Sequence, residues 1–579
     1  MRLWKIQGGA FAIACSLWCT IAAAQAWTFQ GDTTPTWEQV IARYRDLDER
    51  HRGAKLFEIG KDDGGSPIHL FVISDGGVFG PDSLKARGKR VLFINNGIHP
   101  GEPDGIDASL LLAQALLESD QLMGLTVNTV VCIVPVYNVS GALVRDTTFR
   151  VDQNGPRVHG QRANARNLDL NRDLVKVDSR NTQTLLQVLR RWDPDIFIDT
   201  HVSNGADHQY VMELLTTHPA KLDPEVAAYL DGTLVPGLYK WMDRKRIAMC
   251  PYFETVDRTP EQGLVAFFDT PRYTTGYTAL FNTIGLMAES HMLKPYADRV
   301  NATFQLMLGT LVVMDEHGQE LKEIRDRAKT RTTQLKELPL RWTLDTTKVE
   351  RLPFKGYRAE QRPSAVTGLS RLYYDRTRPV DLEVPWMDSY TPGTTRTKPK
   401  AYLIPQAWRE VSQRLALNGI TFQRVERDTL LEVEVYRIGT MNTVREPFEG
   451  HYLHRDVAVH AERTTITARA GDLLVPMDRA TDRFVMAVLE PEAPDSYFAW
   501  GFFDSVLQQK EWFSDYVFED VATHLLAKDP ALKAELEAKR AADPEFAKDA
   551  LAQLAFVFER SPYMEPGYRR YPVCRVVGN

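Results

Sequence analysis

Two residues in one short loop have the types that bind a transition metal. His99 and Glu102 lie three residues apart and follow the apolar run 90–95, within a segment rich in Gly and Pro. A loop of this kind at the end of a strand can turn both side chains toward one point. Zinc binds nitrogen and carboxylate oxygen, and a catalytic zinc takes three protein ligands and keeps one open position. On its own such a pair more often marks an ordinary surface loop, so a third ligand is required.

His201 is the best candidate for that third ligand. It closes the apolar run 196–200, and ligands of open α/β sheets gather beyond the carboxyl ends of strands. His159 and His208 are alternatives, but their loops are more polar and no buried strand precedes them. In the absence of the His99 pair, His201 would be interpreted as a capping histidine.

The segment 167–173 carries a second set of polar residues. The Arg172 guanidinium can form a bidentate pair with a carboxylate, and the Asn171 amide adds another donor. A pocket for a substrate carboxylate requires such donors. Asp169 could instead reach back to a metal-bound histidine and fix its tautomer. The alternative for the segment is a solvated polar turn.

Glu289 lies at the end of a third apolar run, 284–288. A carboxylate in this position is costly unless it is paired or functional. Beside a metal-bound water it can act as a general base. The alternative is a strand-end glutamate that faces solvent.

The elements that carry these residues alternate between strand and helix patterns. The sequence predicts strands over 90–95, 129–136, 195–200 and 284–289, and helices over 106–117, 182–192 and 302–314. This order is typical of an α/β fold with a mixed, largely parallel sheet flanked by helices.

The order and kind of these residues resemble the zinc metallocarboxypeptidase family (carboxypeptidase A-like) over roughly residues 50 to 320. The resemblance implies a mixed sheet with helices on both faces and one Zn²⁺ per chain. It implies zinc ligation by His99, Glu102 and His201. It also implies that Asn171 and Arg172 hold the substrate's terminal carboxylate and that Glu289 is the general base.

The resemblance implies further roles around the metal. An arginine that polarises the scissile carbonyl is expected at Arg150, with Arg145 as the alternative, and a tyrosine that closes over substrate at Tyr273 or Tyr277. Pro100-Gly101 lies where digestive carboxypeptidases commonly carry an arginine, and the deacylase branch often has Gly there. The expected reaction is zinc-dependent hydrolysis of the C-terminal peptide bond of a peptide with a free terminal carboxylate. The alternatives are a zinc deacylase or amidase on N-acyl amino acids or cell-wall peptides, and an inactive carboxypeptidase-like binding protein.

Three segments are expected along the 579 residues: a signal peptide at 1–26, a catalytic domain at 27–335, and an α+β domain of unassigned role at 336–579. The first segment has a basic start, an apolar run and the small-residue pattern Ala24-Gln25-Ala26, which predicts export to the periplasm or the exterior, with an uncleaved anchor as the alternative. A polar connector is predicted at 326–336.

The composition excludes several classes of protein. The formal charge of −6 is spread through the chain without a basic stripe, so nucleic-acid binding is not expected. Beyond the first segment no apolar run approaches the ~20 residues of a membrane span. Cys132, Cys250 and Cys574 allow at most one internal disulfide, which excludes a disulfide scaffold, and the apolar run around Cys132 predicts a buried thiol. No feature of the sequence sets the oligomeric state.

Overall fold

An eight-stranded mixed sheet forms the centre of the N-terminal half. The structure, a computed structural model, describes residues 29–577, so the predicted signal segment 1–26 lies outside the described residues. The strands of this half are β1 (Ala54–Lys61), β2 (Pro67–Ile73), β3 (Arg90–Asn95), β4 (Thr129–Val134), β5 (Ile196–Ser203), β6 (Met212–Thr216), β7 (Met249–Pro251), β8 (Phe253–Thr255), β9 (Leu264–Ala266) and β10 (Ile284–His291). The central sheet has the order β1-β2-β4-β3-β5-β10-β6-β7, in which β4, β3, β5 and β10 are parallel neighbours.

Helices cover both faces of this sheet. They are α1 (Trp37–Arg50), α2 (Pro81–Ala86), α3 (Asp104–Glu118), α4 (Val139–Leu143), α5 (Arg180–Trp192), α6 (Pro224–Tyr229), α7 (Val235–Arg244), α8 (Thr274–Ala279) and α9 (Tyr296–Gln334). Alternate residues of β3 enter opposite cores: Phe93 packs in the cluster that includes residues of α5, and Leu92 in the cluster that includes residues of α3 and α9. Every residue of β3, β5 and β10 is buried. The continuous apolar runs of the sequence thus mark strands covered on both faces.

The polar stretch 326–336 is not a connector, because α9 continues to Gln334. Arg325 is buried where α9 passes the sheet and forms ion pairs with Asp193 and Asp195. Arg331 forms a further pair with Asp223. The charges that indicated a linker therefore stabilise the last turns of a helix.

The C-terminal half adds a second sheet and a helical tail. Its elements are β11 (Glu337–Pro339), β12 (Trp342–Leu344), β13 (Glu350–Pro363), β14 (Ser370–Met387), β15 (Tyr390–Pro392), β16 (Thr395–Thr397), β17 (Ala401–Ile404), α10 (Arg409–Leu417), β18 (Gln423–Arg424), β19 (Thr429–Ile438), β20 (Asn442–Thr443), β21 (His454–Arg455), β22 (Val459–Ala468), β23 (Leu473–Pro476), α11 (Asp482–Leu489), α12 (Asp515–Lys528), α13 (Pro530–Ala542), α14 (Ala550–Phe558) and β24 (Cys574–Val576). Six of these strands form a sheet of order β18-β23-β17-β24-β19-β22.

The two halves share hydrophobic contacts rather than a bare linker. Strand β14 pairs in parallel with β9, and one apolar cluster includes both Phe197 of β5 and Trp500 of the C-terminal half. The three cysteines after residue 28 are buried and free. Among residues 29–577, no helix is long and apolar enough to cross a membrane.

Gly105 sets how closely α3 approaches the sheet beside His201. A Cβ at Gly105 would lie 2.0 Å from Thr200 Oγ1 and 2.7 Å from Asn96 Oδ1. We expect Gly105→Ala to destabilise the protein by about 1–3 kcal/mol or more, because overpacking forces the helix away from β5. Gly124→Ala is the control, since its Cβ would meet nothing within 4 Å. Equal melting temperatures for the two variants would contradict this packing argument.

Candidate metal centre and substrate cleft

The three predicted zinc ligands converge at the carboxyl ends of β3 and β5. Glu102 Oε2 lies 3.3 Å from His99 Nδ1 and 3.1 Å from His201 Nδ1, and each side chain is only 3% exposed. Zinc bonds of about 2.0–2.1 Å in a tetrahedron place neighbouring ligand atoms about 3.3 Å apart. His99 Nδ1 has no hydrogen-bond partner. The donor set and its spacing therefore fit a zinc ion.

A carboxylate holds the outer nitrogen of each histidine. His99 Nε2 lies 2.9 Å from Asp169, and His201 Nε2 lies 3.0 Å from Asp199. Asp199 in turn accepts hydrogen bonds from Asn95 and Thr274. Such partners fix the tautomer that directs Nδ1 toward the shared point.

Asp169 is ionised in this position. Burial acts to raise its pKa, but the His99 ring, together with Arg162 and Arg172, holds the pKa of Asp169 well below its usual range. These positive charges favour the ionised form of Asp169 behind His99.

Arg150 reaches the metal centre, and Arg145 does not. Arg150 Nη1 donates to Glu102 Oε1 at 2.6 Å, whereas Arg145 donates to the backbone carbonyls of Thr34 and Pro35. The Arg150 side chain passes directly over Gly101, where a Cβ would lie 2.9 Å from its Cδ. The absence of a side chain at Gly101 therefore leaves open the path that this guanidinium takes.

Arg162 is a second cation at the centre, and the sequence analysis missed it. Its Nε and Nη2 donate to Asp169 at 3.0 and 2.8 Å, and its Nη1 lies 3.4 Å from Glu102. The loop that carries Arg162 has no pattern that separates it from neighbouring arginines, so only the fold reveals the contact.

A short 3₁₀ turn, Leu170–Arg172, presents the pair expected to bind substrate. The Asn171 amide nitrogen lies 3.5 Å from His201 Nε2, so Asn171 stands next to the candidate ligand His201. The Arg172 guanidinium lies over the Tyr273 ring at 4.4 Å, and its side chain is 21% exposed. Arg172 is thus oriented by an aromatic face and remains accessible to an anion.

The remaining candidates lie elsewhere. Tyr277 is fully buried, and its hydroxyl donates to Asn418 of the C-terminal half, so Tyr273 is the tyrosine beside Arg172. His159 lies beside the carbonyl of Gly160. His208 joins a different cluster, with Glu213 and His291.

Glu289 faces the metal centre from the neighbouring strand. It stands directly opposite His201 in the parallel β5–β10 pair and opposite Glu213 in the antiparallel β10–β6 pair. Burial raises the pKa of Glu289 to about 8, and the charges of Glu102 and Glu213 add to this effect against His201 and Arg150. No hydrogen bond from the described residues reaches its carboxylate, which leaves it free to accept one from water.

Part of the chain is similar to known carboxypeptidases. Residues 41–228 match the family of zinc carboxypeptidases. Carboxypeptidase 2 of Trichophyton tonsurans is 21% identical over 443 residues, which span 73% of this chain and 74% of that protein. Carboxypeptidase 2 of Trichophyton rubrum is 20% identical over 454 residues, 75% of this chain and 77% of that protein.

Solved structures are also similar in part. A metallo-carboxypeptidase from Burkholderia cenocepacia has a TM-score of 0.37 at 16% identity, covering 49% of this chain and 70% of that one. Carboxypeptidase A from Helicoverpa armigera has a TM-score of 0.37 at 17% identity, covering 53% and 77%. The segment that matches the zinc carboxypeptidase family includes His99, Glu102 and His201, so this part of the chain is similar to a zinc carboxypeptidase domain.

The carboxylate behind His201 generates a prediction about metal affinity. Asp199→Asn keeps the side-chain shape but removes the charge, so we expect zinc affinity at this centre to fall about 10–100-fold. Asp482→Asn is the matched control, because Asp482 is a buried carboxylate that pairs with Lys398 far from the histidines. Competition with a chromophoric chelator measures both, and equal affinities would show that Asp199 does not support the ligand.

Proposed function

We propose that the chain hydrolyses the C-terminal peptide bond of peptides that carry a free terminal carboxylate. One observation carries the proposal: Arg172 stands accessible beside Tyr273 on the same short turn as Asn171, whose amide contacts the ligand His201. A carboxylate bound by Arg172 would therefore hold the last residue of a peptide next to the metal centre. With the predicted signal at 1–26, we expect this activity in the periplasm or outside the cell.

The residues around the centre divide the chemistry between them. A zinc ion bound by His99, Glu102 and His201 would polarise the scissile carbonyl and acidify a water molecule. Glu289 accepts the proton of the attacking water at its carboxylate and returns it to the leaving amine. Arg150 donates to the oxygen that becomes negative in the transition state.

The high pKa of Glu289 suits the second of its two tasks. Burial keeps the protonated carboxyl accessible near neutral pH, and a protonated carboxyl is what the leaving amine requires. A bound dication would lower the pKa of Glu289 and favour the ionised form that accepts the first proton.

Glu289→Gln separates metal binding from chemistry. Gln keeps the size of Glu but cannot accept the proton, so we expect full zinc content and a fall in kcat of about 10²–10⁴-fold. Glu261→Gln, in the exposed turn Pro260–Gln262, is the control and should retain wild-type kcat. Zinc content and steady-state kinetics are measured on the same preparation. A near-normal kcat in Glu289→Gln would remove this residue from the mechanism.

Arg172→Ala tests recognition of the terminal carboxylate. We expect kcat/KM for a free-acid peptide to fall about 100-fold or more with zinc retained, because a charge-assisted fork is lost. Arg166→Ala is the control, since Arg166 lies in the same loop and its guanidinium donates to the Asp178 carbonyl. A peptide amidated at its C-terminus should be a poor substrate for wild type. Equal cleavage of free and amidated peptides by wild type would contradict the exopeptidase proposal.

A further inference from the structure

A second buried cluster has the same three residue types as the metal centre. Glu213 on β6 and His291 at the end of β10 meet His208, which lies in the loop between β5 and β6. None of the three side chains is more than 3% exposed. Because Glu213 and Glu289 are direct cross-strand neighbours, the cluster lies on the same face of the sheet as the metal centre, one strand further along.

The spacing within this cluster matches that of the first. Glu213 Oε1 lies 3.1 Å from His208 Nε2 and 3.6 Å from His291 Nδ1, against 3.1 and 3.3 Å around Glu102. These distances bracket the separation of about 3.3 Å expected between neighbouring ligands of a tetrahedral zinc. The two imidazole rings stack with centroids 4.2 Å apart and an angle of 22° between their planes, so binding one ion would turn the rings apart until both nitrogens face it beside the carboxylate.

The charge of Glu213 is otherwise poorly compensated. No lysine or arginine nitrogen of residues 29–577 lies within 4 Å of its carboxylate, which contacts the two imidazoles and the Ser203 hydroxyl. The nearby cations Lys294 and Arg376 pair with Asp207, and Lys294 also donates to the His208 backbone carbonyl rather than to the Glu213 carboxylate. A buried carboxylate needs a counter-charge, and Glu213 also faces the buried Glu289 across the strands.

We propose that His208, Glu213 and His291 bind a second divalent transition-metal ion, for which zinc is the best match among nitrogen and carboxylate donors. The ion would fasten the 204–211 loop to β6 and β10. The same loop pairs with the C-terminal hairpin, through the His208–Gly356 bridge and a hydrogen bond from Gln209 N–H to the Lys355 carbonyl. The second ion therefore links the hairpin β13–β14 to the catalytic sheet, independently of the proposed hydrolysis.

The second ion is expected to bind more weakly than the first. His208 Nδ1 and His291 Nε2 have no hydrogen-bond partner, whereas the outer nitrogens of His99 and His201 are held by carboxylates. Loss of such outer partners typically weakens metal binding about 10–100-fold. A chelator should consequently remove zinc from the full chain in two phases, the weaker ion first.

The test counts zinc by mass spectrometry on the full chain after saturation with Zn²⁺ and removal of the excess. We expect about two ions in wild type, one in His208→Gln, one in Glu213→Gln, one in His99→Gln and none in the double variant His99→Gln/His208→Gln. His218→Gln is the control and should keep both, because its side chain bonds to the Asp388 carbonyl outside either cluster. Thermal melting establishes that each variant is folded.

Two results would overturn the second site. Wild type that stops at one ion under excess zinc would exclude it, as would two ions retained in both His208→Gln and Glu213→Gln, which would identify the extra zinc as adventitious. If those two variants fail to fold, His99→Gln decides, because one remaining ion supports the site and none rejects it. A chain without peptidase activity that still loses zinc in two phases would refute the proposed function and leave this site intact.

Discussion

The buried carboxylate of Glu102 is the constraint around which the centre is arranged. It is 3% exposed and is shared by the His99 and His201 rings, the Arg150 guanidinium and the Val202 N–H. A charge removed from water to this extent requires matched partners at close range. The loop after β3, the end of β5 and the Arg150 segment must all meet at this point, so the position of the carboxylate sets the geometry of the site.

The order of the strands in the sheet brings the partners of Glu102 together. Strands β3, β5 and β10 are adjacent and parallel, so their carboxyl ends open at one edge and bring the three candidate ligands and Glu289 together. Gly101 and Gly105 then permit two close approaches, one by the Arg150 side chain and one by α3. Two of the residues that define the geometry therefore act by lacking a side chain.

Much of the central sheet could be predicted from the sequence, because its buried strands are continuous apolar runs. The predicted strand at 90–95 is β3 itself. The predicted strand at 195–200 begins one residue before β5. Arg162 and the Glu213 cluster could not be predicted from the sequence, since those contacts depend on loop paths and on the partner strand β6. Likewise, only the packing of Tyr277 against the C-terminal half separates it from Tyr273. The polar end of α9 was predicted wrongly, because its charges pair with distant residues that no local pattern indicates.

The position of a bound metal ion tests the proposed zinc centre most directly. Crystals of the full chain grown with zinc and measured on both sides of the zinc absorption edge would locate the ion by its anomalous signal. We predict a peak about 2.0–2.2 Å from His99 Nδ1, His201 Nδ1 and a Glu102 oxygen. A fully folded chain in zinc with no anomalous peak among these three residues would contradict it.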